Sequence, residues 1–205
     1  EYILNKIYEG GFKHNEQSVR IVEKLEKDGA GLNLTWEVRD GILNHQTKTI
    51  PHTLEGKIVR LSDKIAYVNS DIDDAIRAQI LNEEDIPLEL RKTLGFDSKK
   101  RLNHLIHDII THSMGKDDII MSDETAEALR DLRLFMFEHV YKNPVAKSEE
   151  VKAKVMLEQM YHYYMDHIEL LPGKLLNMLG EGEDKGRVVC DYISGMTDQY
   201  AITKF

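Results

Sequence analysis

Asp63, Tyr67, Asp71 and Asp74 follow one another along the sequence at helical intervals, with Arg60 three residues ahead of the first. At about 100° per residue these side chains fall in one narrow sector, and Leu61, Ile65, Val68 and Ile72 fall on the opposite side as an apolar stripe. Carboxylates beside a phenol form a donor set that can ligate a divalent cation and orient a polar ligand next to it. A solvated acidic face has the same spacing, and spacing alone leaves that as the default account, because charged faces ordinarily just keep helices soluble. A second grouping, His104 with His107 and Asp108, lies on the polar face of another helix, opposite Leu105, Ile106 and Ile109, and offers the elements of a surface metal site. His162 and His167, beside Tyr161, Tyr163 and Tyr164, read instead as an amphipathic packing face. Cys190 has no nearby His or Lys pattern to activate a thiol and reads as a small buried apolar residue.

The element that must position Asp63 and its neighbours is a long helix from about Leu54 to Leu81, a stretch with helical apolar spacing, no Pro and no Gly after Gly56. Ahead of it, Asn15 and Ser18 open a short amphipathic helix that ends near Gly29 to Gly31, and a second helix begins around Thr35 and carries Trp36, Val38, Ile42 and Leu43. The polar stretch from Asn44 to Ile50, before Pro51, reads as a loop. Beyond it, Pro87 opens and Gly95 closes a short helix, and further helices are expected from Ser98 to about Ser113, from Ser122 towards Pro144 and from about Ser148 to His167. Leu175 to Leu179, an acidic Gly-rich turn at Gly180 to Gly186, and a last helix from Val188 towards Phe205 complete the chain. With 4 prolines and 13 glycines among 205 residues, and no internal repeat, the composition is all-α. A hydrophobic content of 41% suits one sizeable core. Each break is short, so a single all-helical domain over 1–205 is expected.

The 27 basic and 36 acidic residues leave a formal net charge of -9, which argues against an extended grip on nucleic-acid phosphates. It does not argue against a small phosphate-bearing ligand, whose charge is met at close range. The lone Cys190 and the absence of any apolar run near the roughly 20 residues needed to cross a bilayer give the expectation of a cytoplasmic protein with no membrane partner. The opening Glu1-Tyr2-Ile3-Leu4 does not look like the start of an open reading frame.

The segment Leu54-Glu-Gly-Lys-Ile-Val-Arg-Leu-Ser-Asp63-Lys-Ile-Ala-Tyr67-Val-Asn-Ser-Asp71-Ile-Asp-Asp-Ala-Ile-Arg77 resembles a block of the deoxyguanosine-triphosphatase-like proteins of the HD superfamily. Upstream, Gly11-Phe-Lys-His14-Asn15-Glu-Gln17-Ser-Val-Arg20 and Leu34-Thr-Trp-Glu-Val-Arg-Asp-Gly-Ile-Leu-Asn-His45 resemble the same family. So do Phe135-Met-Phe-Glu-His-Val-Tyr141 and Cys190-Asp-Tyr-Ile-Ser-Gly-Met-Thr197-Asp198-Gln-Tyr200-Ala downstream. Several blocks in order over the whole chain are far more specific than one short motif.

The resemblance implies an HD-domain-type helical bundle, truncated and covering about 1–115, that runs on into additional C-terminal helices over about 116–205. It makes Asp63 the last protein ligand of a catalytic divalent metal, whether magnesium, manganese or another transition metal, and places His14 as an active-site histidine. Tyr67 and Asp71 then contact the sugar and phosphates of a nucleotide, Lys64 faces a phosphate, and Asn15 and Gln17 belong to the same nucleotide-binding set. Asn15 serves equally well as a helix cap. Ser70 departs from the histidine often found before that aspartate. The family's other metal ligands, a histidine and an adjacent His-Asp pair, lie upstream of a Gly-His-Ala-Gly-Glu-like stretch whose end Glu1 resembles, so one of four ligands is expected here. His107-Asp108 is a literal His-Asp pair but falls well after the metal helix in the resemblance and is set aside. The expected activity of the complete protein is hydrolysis of a deoxynucleoside triphosphate to deoxynucleoside and triphosphate, in a homo-oligomer, with this chain inactive alone. The rival expectation is a metal-free helical interaction module that kept the fold and lost the chemistry.

Overall fold

The computed structural model describes residues 1–46 and 48–205, leaving aside the side chains of 145, 146 and 148. Among the described residues the chain is all-α, with no strand. In chain order the helices are α1 (Tyr2–Ile7), α2 (His14–Arg20), α3 (Trp36–Leu43), α4 (Leu54–Arg77), α5 (Leu88–Leu94), α6 (Ser98–Ser113), α7 (Asp123–Met136), α8 (Pro144–Asp166), α9 (Gly173–Gly180), α10 (Lys185–Ser194) and α11 (Asp198–Lys204). No helix among the described residues is long and apolar enough to cross a membrane. By contact the residues form two compact units, Glu1–Thr35 with Ser148–Phe205, and Trp36–Lys147.

In the unit Trp36–Lys147, α4 lays Ile65, Val68 and Ile72 into a core completed by Leu105 of α6 and Leu129, Leu132 and Met136 of α7. The apolar stripe read from the sequence is therefore the buried one, and the opposite face of α4 is left to Asp63 and its neighbours. Thr53 caps α4, its hydroxyl accepting from the Gly56 amide at 3.1 Å. Helices α3 and α4 approach closely at Gly41 and Gly56, where a Cβ on Gly56 would lie 3.3 Å from Cα of Gly41, and Pro51 of the preceding segment packs there too, its Cβ 2.6 Å from that position. The helix ends at Arg77, four residues before the expected Leu81. Gln79 turns left-handed at φ 58, and the amides of Ile80 and Leu81 both fold back to the Ala75 carbonyl, which ends the helix without a glycine.

The roll of α4 is fixed from behind by Arg101, only 1% exposed on α6. Its Nε donates to Asn69 Oδ1 at 2.9 Å and its Nη1 to Glu83 at 2.8 Å, while Asn69 Nδ2 donates to the Ile65 carbonyl at 2.8 Å. Asn69 lies between Tyr67 and Asp71 in sequence, so this directional contact sets where those two side chains point.

In the other unit, Leu4, Phe12, Met160, Tyr161, Tyr164 and the α10 residues Val188, Val189, Cys190 and Ile193 form the core. Tyr161 and Tyr164 of α8 are thus a packing face, whereas His162, Tyr163 and His167, expected on the same face, are exposed, and Cys190 is buried with its thiol pushed up to about 12 by that burial. Two local expectations are corrected. Asn15 is not the cap of α2: the extended residue before the helix is Lys13, with no side-chain cap, and Asn15 is buried inside the first turn. The single last helix is two, because Gly195 ends α10 and the Thr197 hydroxyl, accepting from Tyr200, starts α11 afresh. In the expected loop from Asn44 to Ile50, position 47 lies outside the described residues.

Candidate functional site

On the polar face of α4, Asp63 is exposed, and Lys64, Tyr67 and Asp71 are half-buried. Asp74 leaves the group, its carboxylate pairing with Arg77 at 2.9 Å on the surface. Two residues from the end of α7 and the turn that follows it join instead. The Arg133 guanidinium of α7 sits 5.5 Å from the centre of the Tyr67 ring, and the Tyr141 hydroxyl donates to the Asp71 carboxylate. Between them lies a cavity of about 310 Å³, bounded by Tyr67, Val68, Arg130, Arg133, Phe137 and Tyr141.

Tyr141 reaches this face because α7 does not continue as a regular α-helix. Residues Phe137–Tyr141 form a π-type turn. In a pure α-helix, residues eight apart diverge by about 80° around the axis, and one extra residue in a turn brings them back to within about 20°. Arg133 and Tyr141 thereby address the same space. Neither was singled out from the sequence, although Tyr141 ends one of the blocks that carry the resemblance. The turn that aligns them has no simple sequence signature.

The charges in this space are unbalanced in a definite direction. Burial, then repulsion from Arg60 and Arg133, holds the Lys64 ammonium below the ordinary lysine value. Burial pushes the Tyr67 phenol up against the pull of Arg133, and Asp63 and Asp71 push it the same way. Burial and the hydrogen bond to Asp71 raise Tyr141 further, so both phenols stay protonated donors. Lys64 is a cation that its neighbours make costly to charge, and a polyanion bound beside it would reverse that. A phenol wall, a carboxylate with a hydroxyl donor, and a group of cations suit a ligand with a flat or sugar-like part and a chain of phosphates.

The other predicted residues lie in the other unit. His14 opens α2, and its Nδ1 and backbone amide both meet the Glu1 carboxylate, which His14 holds below its usual range against the opposing effect of burial. Gln17 is 3% exposed, with its amide placed between Asp191, 2.9 Å from Nε2, and Arg187. The set-aside histidine group has structural partners: His104 lies 3.2 Å from the Thr125 hydroxyl, and Asp108 accepts from the Ser122 amide at 2.8 Å at the start of α7.

Among the described residues, no group of three or more His, Cys, Asp or Glu side chains is placed to hold a metal ion. Asp63 contributes one exposed carboxylate, and a catalytic divalent ion needs three or more protein ligands to be held with useful affinity. The residues present do not by themselves fit a metal centre.

Sequence comparison supplies the family context. The phosphohydrolase-associated domain matches residues 119–205. Over its whole length the chain is 51% identical to a deoxyguanosinetriphosphate triphosphohydrolase-like protein of Caldanaerobacter subterraneus subsp. tengcongensis, of which it covers 60%. A protein of the same description from Clostridium perfringens strain SM101 is 44% identical, with all of this chain and 62% of that protein covered. One from Geobacter sulfurreducens is 32% identical, with all of this chain and 67% of that protein covered. The chain thus spans about three fifths of the length of the first of these relatives.

Proposed function

The chain belongs to the deoxyguanosinetriphosphate triphosphohydrolase-like family of hydrolases, and from that premise we propose that the face of α4 bearing Asp63, Lys64, Tyr67 and Asp71, with Arg133 and Tyr141, is the nucleotide seat of a deoxynucleoside triphosphate triphosphohydrolase. The observation that carries the reading is the gathering of Arg133 and Tyr141 onto Tyr67 and Asp71, which turns an acidic helix face into a lined, cation-bearing cavity.

In this reading each residue acts through what it touches. Tyr67 gives a wall for the sugar, and Asp71 accepts from a sugar hydroxyl while Tyr141 holds its carboxylate in place. Lys64, Arg133 and Arg60 face the phosphates, whose negative charge relieves the repulsion among them. Asp63 is one ligand of a divalent metal whose remaining ligands belong to the rest of the complete protein. Such a metal, held by Asp63 together with ligands from outside this chain, would supply Lewis-acid stabilisation of phosphate charge. His14, on the family resemblance, is an active-site histidine, and Asn15 and Gln17 build the helix start that presents it. The chain reads as one continuous all-helical piece, a truncated HD region to about residue 115 followed by a C-terminal helical region, acting within a homo-oligomer.

The test is product analysis. The complete protein, incubated with deoxynucleoside triphosphates and divalent metals, should release inorganic triphosphate, resolved from pyrophosphate and orthophosphate by ion-exchange chromatography. Asp63→Ala should abolish that product with the helical content unchanged. A complete protein that releases only orthophosphate, or an Asp63→Ala variant with wild-type turnover, overturns the proposal.

A further inference from the structure

Asp191 stands in the block Cys190 to Ala201, which resembles the family yet carries no residue assigned to chemistry. It is 4% exposed on α10, a helix whose other inward residues are the core apolar groups Val188, Val189, Cys190 and Ile193. Its carboxylate is directed at α2. Oδ1 accepts from Gln17 Nε2 at 2.9 Å and from Arg20 Nε at 3.0 Å, Oδ2 lies 2.8 Å from Arg20 Nη2, and Arg187 Nε is 3.5 Å away. Gln17 Nε2, Arg20 Nε and Arg20 Nη2 thus take up three of the about four lone-pair directions that a carboxylate offers, Arg187 Nε making no hydrogen bond, so the buried Asp191 faces the protein and not a substrate.

Helix α2 needs such an anchor. Its buried residues are Asn15 and Gln17, both polar, and the π-type turn Ile21–Leu25 that continues it buries none. Apolar packing, which is non-directional, therefore does little to set its roll. The seven-residue helix has no side-chain cap either, and isolated helices this short are marginal. What holds it is a row of side chains on one face: Gln17 and Arg20 on Asp191, then Arg20 and Lys24 on Glu183 at 3.1 and 2.8 Å. Burial would lower the Arg20 guanidinium, but Asp191 and Glu183 more than compensate and keep it charged. Gln17 and Arg20 lie three and six residues after His14, so fixing them fixes the direction in which His14 leaves the first turn.

We propose that Asp191 is a positioning residue, whose buried carboxylate sets the roll of α2 through Gln17 and Arg20 and thereby aims His14. This rests on the reading of His14 as an active-site histidine. It gives the C-terminal block a purpose, since a buried ion network contributes little net stability compared with apolar packing of the same volume but does specify one arrangement.

The experiment is a mutant cycle in the complete protein. The paired variant Asp191→Leu/Arg20→Met removes both charges of the buried pair together, at the cost of the acceptor of the Gln17 amide, and Asp191→Asn keeps the side-chain shape in case the pair does not fold. Each is measured for Tm, kcat and KM with a deoxynucleoside triphosphate, alone and with His14→Ala added. The expected result is a folded variant whose kcat falls about 100-fold, the effect of misplacing a reacting group by roughly 1 Å, with KM changed less than about threefold. Adding His14→Ala should then lower kcat little further, because its aim is already lost. Folded variants with wild-type kcat, or losses that multiply with that of His14→Ala, overturn the positioning role while leaving the reading of His14 intact. If His14→Ala alone leaves kcat unchanged, the reading of His14 fails, and the proposal with it.

Discussion

Replacing Arg101 by methionine tests whether the polar face of α4 is aimed from behind. Arg101 is 1% exposed, and the change removes its Nε donation to Asn69 Oδ1 at 2.9 Å and its ion pair with Glu83 at 2.8 Å. Asn69 is itself buried, so its orphaned oxygen costs about 1–3 kcal/mol. The Glu83 side chain is 17% exposed and sits on a surface 3₁₀ turn. It can turn to water, and its share is discounted to about 1 kcal/mol from the 3–5 kcal/mol of a fully buried broken pair. Methionine refills much of the arginine stem. The total is about 3 kcal/mol, roughly a hundredfold in the unfolding equilibrium and a large part of a typical 5–15 kcal/mol. Urea denaturation followed by the fluorescence of Trp36, the single tryptophan, reads it directly, because Trp36 is on α3 in the same unit as α4. In the complete protein, the variant that remains folded at low urea should show a raised KM for nucleotide as Tyr67 and Asp71 lose their fixed direction. A loss below about 1 kcal/mol with unchanged KM would refute the claim that Arg101 sets the roll of α4.

Three further outcomes follow from the same contacts. Tyr141→Phe in the complete protein should lower kcat/KM about tenfold, the worth of one charge-assisted hydrogen bond of roughly 1.5 kcal/mol to a half-buried carboxylate; steady-state kinetics that match wild type would remove Tyr141 from the seat. Lys64 titrates below an ordinary lysine, and bound phosphates favour its charged form, so KM should be flat near neutral pH and rise on the alkaline side below the usual lysine value of about 10.4. Lys64→Arg should abolish that rise, and a rise unaffected by the change would show another group responsible. Gly56→Ala should destabilise the chain by about 1–3 kcal/mol despite the better helix propensity of alanine, because its Cβ would meet Pro51 at 2.6 Å; a thermal melt no lower than wild type would contradict the close packing of Pro51 on the first turn of α4.

The helices were legible where local chemistry decides them. The α4 stripe of Ile65, Val68 and Ile72, the Ser122 start of α7 and the Pro87 to Gly95 helix follow from periodicity and caps. Boundaries set by backbone turns were not: the end of α4 depends on left-handed Gln79, and the break between α10 and α11 on how Gly195 and Thr197 turn the chain. At the candidate site, Asp63, Tyr67 and Asp71 share a face because helix geometry requires it. Arg133 and Tyr141 join them only through a tertiary fold and a π-type turn, neither of which leaves a spacing rule. Asp191 shows the same limit more sharply, since it is joined to Gln17 across 174 residues and nothing local marks it.

A nucleotide seated on the face of α4, against Arg133 and Tyr141, can be caught in place by photolabelling. The complete protein is irradiated with an azido analogue of a deoxynucleoside triphosphate, with and without excess unmodified nucleotide, and the labelled peptides are mapped. Label, displaced by the unmodified nucleotide, is expected on peptides from Leu54–Arg77 and from Asp123–Tyr141, with its loss in Tyr67→Ala combined with Arg133→Met. Displaceable label confined to other segments, or undiminished in that double variant, would contradict it.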